Sequence, residues 1–178
     1  MAMLDDMLNK YKNKFFVETG LGKGHGLTLA LKHEFEHVYS IEISEKIFNK
    51  YGSRIMRKYP KKVSIFCGKS EDILWPIIEN IHSSITFWLD AHLKPDVNIE
   101  PPLVKELEII SRHPIKNHII LIDDIRQMGQ GVYPHIYLII KKIMEINPKY
   151  KISYEDGCGK GQIFKSDILV ACVGEDNV

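Results

Sequence analysis

Residues 15–26 of this chain read FFVETGLGKGHG, and this stretch decides the fold. The apolar run from Phe15 to Val17 predicts a short buried strand, and from Gly20 onward every second residue is a glycine. Glycine tolerates positive φ and has no Cβ, so such a loop lets a ligand come close to the backbone. We therefore expect a strand that runs into a ligand-binding loop.

The spacing of the glycines excludes two phosphate-binding patterns. The dinucleotide fingerprint needs a glycine at its sixth position, but the sixth position counted from Gly20 is His25. A P-loop has Ser or Thr after its lysine, whereas Gly24 follows Lys23. The remaining pattern is E-x-G-x-G-x-G, and its first residue, Glu18, suits a ligand with a cationic end. S-adenosylmethionine, which has a sulfonium and an ammonium group, is such a ligand.

Length and composition are typical of a single domain. The 178 residues suffice for one hydrophobic core and are too few for two ordinary domains, so we expect one domain over residues 1–178. Lys and Arg number 24 against 23 Asp and Glu, which leaves no overall basic field to attract nucleic acid. The three cysteines form no metal-ligand pair and indicate reduced thiols in the cytoplasm. No apolar run reaches transmembrane length, so we expect a soluble protein.

Apolar runs alternate with helical patterns along the chain. The near-continuous hydrophobicity of the runs is typical of strands buried on both faces of a parallel sheet. We expect an α/β fold with a Rossmann-like doubly wound sheet, mostly parallel with an antiparallel C-terminal hairpin strand. The predicted strands are Phe15–Glu18, Val38–Ile43, Val63–Cys67, Ile85–Leu89, Ile119–Ile122, Lys151–Tyr154 and Ile168–Val173, with a loop at Asp156–Gly161. The predicted helices are Gly24–Lys32, Glu45–Lys58, Asp72–Asn80, Leu103–Arg112, Tyr133–Ile146 and an N-terminal helix within residues 1–13 that packs on the domain or covers the ligand as a lid.

Each of the five predicted parallel strands is followed by polar residues. Open α/β sheets bind ligands in the crevice outside the carboxyl ends of their strands, so these residues predict one shared binding site. The acid after the second strand is placed to bind both hydroxyls of a ribose, and the polar groups after the third can meet an adenine edge. In strand order the residues are Glu18; Glu42; Gly68, Ser70 and Glu71; Asp90 and His92; Asp123 and Asp124.

Five motifs together resemble those of a known family. They are VETGLGKGHG, VYSIEIS, VSIFCGKSEDIL, ITFWLDAHLK and IILIDDIR, and the resemblance covers about Phe15 to Val173. The chain resembles the class I S-adenosylmethionine-dependent methyltransferases. Within them it is most similar to the small metal-dependent O-methyltransferases of the catechol, caffeoyl-CoA and macrolide-sugar kinds. The resemblance implies the class I methyltransferase fold and methyl transfer to a hydroxyl group.

The resemblance also assigns residues to the cofactor and to a metal ion. Carried over to this sequence, the S-adenosylmethionine-binding residues are Glu18, Gly20, Leu21, Gly22, Gly24, Glu42, Ile43, Gly68, Ser70, Glu71 and Asp90. The implied metal ligands are Asp90, Asp123 and Asp124. Three carboxylates at one sheet edge repel one another, and a hard cation with oxygen ligands relieves that repulsion. Mg²⁺ is the first expectation and Mn²⁺ the second.

The expected reaction is proton removal from a substrate hydroxyl that lies in line with the methyl group. Asp90 and His92 are the candidate catalytic residues, and His92 is the candidate base because its ordinary pKa suits proton removal near neutrality. The relatives have a carboxylate or a lysine in this region, so Lys94 competes with His92 for the role. Acceptor specificity is expected from the loop Leu93–Pro102, the segment Gln127–Pro134 and the first dozen residues.

The sequence leaves alternatives open. His33-Glu34-Phe35-Glu36-His37 matches the zinc-protease pattern H-E-x-x-H, but a strand is predicted to begin directly after His37, which leaves no single helix to present both histidines. A second alternative is a methyltransferase-fold protein that binds the cofactor without catalysis or acts on nucleic acid or protein. Nucleic acid is disfavoured by the near-zero net charge. The preferred acceptor is a small molecule or a sugar, and a homodimer in which a second subunit helps select it stays open.

Overall fold

The computed structural model describes residues 2–91, 100–159 and 161–174. The strands are β1 (Phe15–Thr19), β2 (His37–Glu42), β3 (Val63–Cys67), β4 (Ile85–Leu89), β5 (Ile119–Ile122), β6 (Tyr150–Gly159) and β7 (Gln162–Val173). The α-helices are α1 (Ala2–Lys10), α2 (His25–Ala30), α3 (Glu45–Ile47), α4 (Ser53–Lys58), α5 (Ser70–Ile78), α6 (Leu103–Arg112) and α7 (Ile136–Ile146). A π-helical turn spans Phe48–Gly52 and a 3₁₀ turn spans Ile125–Gln127.

The seven strands form one sheet in the order β3-β2-β1-β4-β5-β7-β6. The first five strands in this order pair with one another in parallel, and β7 runs antiparallel to both β5 and β6. This arrangement confirms the predicted fold class. The strand order reverses at β1, between β2 and β4, and such a switch point opens a crevice at the carboxyl ends of the strands.

Hydrophobic side chains bury both faces of the sheet. On one face α5, α6 and α7 pack against it, with Leu74, Leu107 and Ile143 almost inaccessible to solvent. The other face is covered by α1 and α2 among others, and Leu8 and Leu27 are buried there. Because each strand contributes apolar residues to both faces, the parallel part of the sheet is sealed and only its ends are open to solvent. None of the described helices is long and apolar enough to cross a bilayer.

The largest departure from the predicted elements is the C-terminal hairpin. The predicted loop Asp156–Gly161 is wrong over most of its length, because β6 continues to Gly159 and β7 begins at Gln162. Gly157 pairs with Phe164 and Gly159 with Gln162, and a bulge between Glu155 and Gly157 absorbs the irregularity. The loop was predicted because glycines have a low strand propensity. Cross-strand hydrogen bonds override that propensity here.

Two predicted helices also differ from the observed elements. The predicted helix Glu45–Lys58 is one helical stretch interrupted by the π turn, and the Ser44 side chain caps it by accepting a hydrogen bond from the Ile47 N–H at 3.4 Å. Helix α7 begins three residues later than predicted, since the His135 side chain accepts from the Tyr137 N–H at its start. The N-terminal helix packs on the domain as expected, and among the described residues of the crevice wall none belongs to α1.

Candidate cofactor-binding site

A cavity of about 500 Å³ opens at the carboxyl ends of β1, β2, β3 and β4. Its place at the switch point of the sheet is the one that ligands occupy in open α/β folds. Eight of the predicted cofactor-binding residues belong to its wall, so residues far apart in the sequence meet there. They are Gly20, Gly22, Glu42, Ile43, Gly68, Ser70, Glu71 and Asp90. We refer to this cavity as the crevice.

The glycine loop closes against the end of β4. Gly20, Gly22 and Gly24 all have positive φ, at 87°, 52° and 76°. A Cβ at Gly20 would lie 2.3 Å from the backbone oxygen of Asp90, so only glycine allows the loop and β4 to approach this closely. The Gly20 N–H donates to the Ile41 carbonyl at 2.9 Å, which fixes the loop against β2 as well.

Glu42 is held rigidly at the crevice wall. One carboxylate oxygen accepts from the Gly22 N–H at 2.9 Å and the other from the Ser44 N–H at 2.8 Å. The residue is 5% exposed, and each carboxylate oxygen has lone pairs beyond the one that these bonds use. Glu42 can therefore accept hydrogen bonds from a pair of hydroxyls that enter the crevice.

Glu18 lies beneath the glycine loop and is not part of the crevice wall formed by the described residues. Its carboxyl group is almost fully buried, accepts from the Ser40 hydroxyl at 2.6 Å, and would touch any side chain placed at Gly26. The pKa of Glu18 is raised to about 8, chiefly by burial and to a smaller extent by the negative charges of Asp90 and Glu42, while the Ser40 hydrogen bond acts in the lowering direction. The carboxyl group is thus largely protonated near neutral pH.

Leu21 and Gly24, two other predicted cofactor-binding residues, also lie outside the crevice wall of the described residues. Leu21 is 3% exposed and packs in the hydrophobic core, and a Cβ at Gly24 would approach the Ile55 side chain to 2.7 Å. These residues hold the loop in place. Sequence position alone does not separate loop residues that support a site from those that face it.

The far end of the crevice combines an apolar wall with polar groups. Ile43 is 64% exposed there, which is unusual for a large apolar side chain and marks a surface that a ligand can cover. The Ser70 hydroxyl is buried and has no hydrogen-bond partner in the part of the chain that the structure describes, although an unpaired buried hydroxyl is costly. Glu71 forms an ion pair with Lys105 at 3.0 Å, and both line the crevice. This end can accept a flat ring with polar edges.

Several wall residues were not among the predicted cofactor-binding residues. One signal was available for Ile47, which is close in sequence to the predicted wall residue Ile43. Glu100, Pro101 and Pro102 belong to the loop that was expected to select the acceptor, and Lys105 in α6 could not be placed from sequence because its distance from the crevice depends on how that helix packs. The additional residues are Ile41, Ile47, Lys69, Ala91, Glu100, Pro101, Pro102 and Lys105.

Asp123 and Asp124, which follow β5, lie close to Asp167, a residue that was not among the predicted metal ligands. Among the described residues, Asp123, Asp124 and Asp167 place one oxygen each within 4.8 Å of one another, and Asp90 is not in this group. The predicted ligand set of Asp90, Asp123 and Asp124 stays a prediction, and the group that meets this distance contains Asp167. Asp167 enters because β7 pairs with β5, a pairing invisible in the local pattern.

Arg126 already contacts this acidic cluster. Its guanidinium binds Asp167 through Nη1 and Asp124 through Nη2, the latter at 2.6 Å, and its backbone N–H donates to Asp167 at 3.0 Å. The same guanidinium lies 4.0 Å above the centre of the Phe164 ring. A positive charge is thus built into the cluster by the protein itself.

Several of the predicted functional positions lie outside the described residues. These are His92, its competitor Lys94 and residues 93–99 of the loop expected to select the acceptor. The zinc-protease pattern is described and is divided between different elements. His33 pairs with Asp5 at 3.0 Å, whereas His37 begins β2 and contacts the Ser64 hydroxyl at 3.0 Å. The two histidines do not share a helix face, as expected.

Comparison with solved structures identifies the fold. An O-methyltransferase from Bacillus cereus in complex with S-adenosylhomocysteine matches with a TM-score of 0.67 and 16% identity, over 96% of this chain and 79% of that one. The O-methyltransferase TomG from Streptomyces achromogenes, in complex with S-adenosylmethionine, matches with a TM-score of 0.60 and 13% identity, over 96% and 77%. The chain has the class I methyltransferase fold. No protein-family model and no curated protein sequence matches it.

The same fold carries other chemistry. Spermidine synthase from Thermotoga maritima matches with a TM-score of 0.62 and 14% identity, over 98% of this chain and 60% of that one. At these identities the likeness establishes the fold alone, and the function has to be argued from the site.

Proposed function

We propose that this protein is an S-adenosylmethionine-dependent methyltransferase that methylates a hydroxyl group of a small molecule or sugar. The observation that carries the proposal is the crevice, in which a glycine loop, a fixed carboxylate and a buried unpaired hydroxyl line one cavity. Solved proteins of the same fold bind S-adenosylmethionine or its product, as the Streptomyces and Bacillus enzymes do.

The residues of the crevice fit the parts of this cofactor. Glu42 would accept both ribose hydroxyls, because its carboxylate is fixed by two backbone N–H groups and keeps free lone pairs. The Ser70 hydroxyl would pair with an adenine edge, which would satisfy a buried group that has no partner among the described residues. Ile43 would cover the flat face of the base, and Gly20 and Gly22 would admit the methionine end.

The cofactor, when bound, supplies a methyl group on a positively charged sulfur. Asp90 lies at the end of β4 on the crevice wall, and its carboxylate would favour a cationic ligand there by charge. His92 remains the proposed base and Lys94 its competitor. We propose a hydroxyl acceptor because the motifs resemble those of O-methyltransferases and because two solved neighbours are O-methyltransferases.

Metal assistance is a separate part of the sequence-based proposal. Asp123, Asp124 and Asp167 offer hard oxygen donors, which suit Mg²⁺ or Mn²⁺. Two of the three carboxylates are already bound by the Arg126 guanidinium, so a divalent cation fits this cluster only if Arg126 leaves it. We therefore assign no step of the reaction to a metal ion.

Calorimetric titration with S-adenosylhomocysteine tests the cofactor assignment. We expect the wild-type protein to bind it and Glu42→Gln to bind about tenfold more weakly, the loss of hydrogen bonds to a charged acceptor. Glu108→Gln is the matched control, because Glu108 is a half-exposed acid on α6 that pairs with Lys142 and is not part of the described crevice wall. Equal affinities for the two variants would refute the role of Glu42, and no wild-type binding would refute the cofactor.

A second assay separates catalysis from binding alone. The protein is incubated with S-adenosylmethionine and a panel of catechols, phenols, sugars, an oligonucleotide and a peptide mixture, and methylated products are sought by mass spectrometry. We expect methylation among the hydroxylated small molecules or sugars. Methylation of the oligonucleotide or peptides only, or cofactor binding with no methylated product, would favour the alternative of another acceptor or of a non-catalytic cofactor-binding protein.

A further inference from the structure

Arg126 is fixed at the carboxyl end of β5 by four separate contacts. Its guanidinium forms ion pairs with Asp124 and Asp167, and its own backbone N–H donates a third hydrogen bond to the Asp167 carboxylate. The fourth contact is the face of the Phe164 ring, 4.0 Å from the guanidinium carbon. A planar guanidinium matches carboxylates and aromatic faces at once, which a lysine ammonium cannot do.

The contacts come from two different parts of the chain. Asp124 is in the turn after β5, where it adopts a left-handed conformation with φ of 56°, and Asp167 and Phe164 are on β7. Asp167 is 2% exposed and has one carboxylate oxygen on the Arg126 backbone and the other on its side chain. A buried carboxylate with this pairing is stabilised by the arginine and is costly to leave alone.

A divalent cation at this cluster would need the same oxygens. Carboxylates of Asp124 and Asp167 are two of the three groups whose oxygens lie within 4.8 Å of one another. The guanidinium and a divalent ion carry charges of the same sign, so each opposes the other at these oxygens. Mg²⁺ loses its hydration water reluctantly, which further disfavours its displacing a preformed ion pair.

We propose that Arg126 is the internal counter-ion of the acidic cluster after β5, that it excludes divalent cations from the cluster, and that the protein works without a metal ion. The claim that the protein works without a metal ion rests on the proposed methyltransferase function. The claims that Arg126 is the counter-ion and that it excludes divalent cations do not. The family resemblance of the sequence motifs implied a metal ion at this part of the sheet edge. The structure instead supplies one fixed positive charge there from the chain itself.

Binding of Mn²⁺, measured by the electron paramagnetic resonance signal of the free ion, tests the exclusion directly. We expect no uptake by the wild-type protein at micromolar to low-millimolar Mn²⁺, and uptake of one ion by Arg126→Gln, which keeps a side chain over Phe164 without the charge. Adding Asp167→Asn to Arg126→Gln should abolish the uptake. Lys142→Gln is the control, since it frees the exposed acids Glu108 and Glu145 on helices α6 and α7 and should bind no Mn²⁺.

Binding of Mn²⁺ by the wild-type protein that Asp167→Asn removes would overturn the proposal, and this measurement needs no Arg126 variant to fold. A folded Arg126→Gln that takes up no Mn²⁺ would also overturn it, because Arg126 would then not be what excludes the ion. Wild-type methyl transfer that survives EDTA supports metal independence, and transfer lost in EDTA and restored by Mg²⁺ refutes it. Failure of the wild-type protein to bind S-adenosylhomocysteine would refute the proposed function and leave the Mn²⁺ result standing.

Discussion

Gly20 shows how one residue determines whether the crevice can form. The φ of 87° disfavours any side chain, and the nearest atom to a Cβ would be a backbone oxygen, which cannot move aside like the end of a flexible side chain. We expect Gly20→Ala to lower the free energy of unfolding by at least about 2 kcal/mol. Urea denaturation measures the loss.

Gly161→Ala is the control for Gly20→Ala, because it measures the cost of a side chain at positive φ without a steric clash. Gly161 also has a positive φ, 79°, but no described atom lies within 4 Å of the position of its Cβ. Strain alone should cost about 1 kcal/mol there. Equal losses for the two variants would show that contact with Asp90 adds nothing to the requirement for glycine.

Glu18 should make stability depend on pH in a defined direction. Its pKa is about 8 in the folded protein and 4.5 as the ordinary value, so the folded state holds a proton that the unfolded state has released. The free energy of unfolding should therefore fall as pH rises from about 4.5 to about 8, by a few kcal/mol in all, and level off above that.

Glu18→Gln removes this titration and keeps an acceptor for the Ser40 hydroxyl. We expect the difference in unfolding free energy between the variant and the wild-type protein to grow in favour of the variant from pH 5 to pH 8. Urea denaturation at several pH values gives the difference. A constant difference over this range would show that Glu18 does not hold the extra proton.

At the scale of elements, α5 and α6 are joined across the crevice. Glu71 belongs to the first turn of α5 and Lys105 to the first turn of α6. Their ion pair brings together two wall segments that are more than thirty residues apart in the sequence. The pair raises the pKa of Lys105, chiefly through the hydrogen bond to Glu71. The ion pair thus connects the end of the crevice that Ser70 and Glu71 line to the segment that includes Pro101 and Pro102.

Lys105→Met should weaken binding of S-adenosylhomocysteine by about two- to fivefold, because an exposed ion pair contributes modestly and part of the wall becomes less ordered. Glu71→Gln should have a similar effect, and the double variant should be no weaker than the weaker single variant. Lys142→Met, which breaks an ion pair between α7 and α6 instead, should leave the affinity unchanged. Additive losses in the double variant would show that the two residues act independently.

The elements differ in how well the sequence predicted them. The five parallel strands were found to within one or two residues, because strands buried on both faces are continuous apolar runs. The hairpin β6 and β7 was underestimated, since its outer half is held by cross-strand pairing and carries glycines and polar residues. The π turn at Phe48–Gly52 has no sequence signal of its own, because its residues continue the helical pattern.

At the scale of the whole molecule, a buried pair of histidines connects several segments. The Nδ1 of His118 accepts from the Ile85 N–H at 3.1 Å, and its Nε2 lies 3.0 Å from His113 Nδ1. His113 Nε2 reaches the Ile81 carbonyl at 2.9 Å. Both imidazoles are fully buried, and burial, with the charges of His113 and Lys116 as smaller causes, lowers the pKa of His118 to about 3.

The lowered pKa predicts acid sensitivity. The unfolded protein binds a proton at His118 below about pH 6.5 and the folded protein does not until about pH 3, so stability should be lost as the pH falls through this window. We expect His118→Asn, which offers an oxygen to the Ile85 N–H, to lose less of its melting temperature between pH 7 and pH 5 than the wild-type protein. His82→Asn, at an exposed histidine, is the control and should behave like the wild type. Identical pH profiles for all three proteins would contradict the prediction.

The sequence by itself determined the order of the strands along the chain, the glycine loop, and the polar residues that follow each parallel strand. These are local properties, because alternating apolar runs and turn residues act within a few positions of one another. It also predicted that one binding site lies at the strand ends, since parallel strands all end at the same edge.

Only the tertiary structure decided how these residues are used. It placed Glu18 beneath the loop and Ser70 at the wall, brought Asp167 beside Asp123 and Asp124, and brought Arg126 onto that cluster. Each outcome depends on the pairing of β7 with β5 or on the packing of a helix against the sheet. Such contacts join residues tens of positions apart, and their energies depend on burial and charge that no local pattern contains.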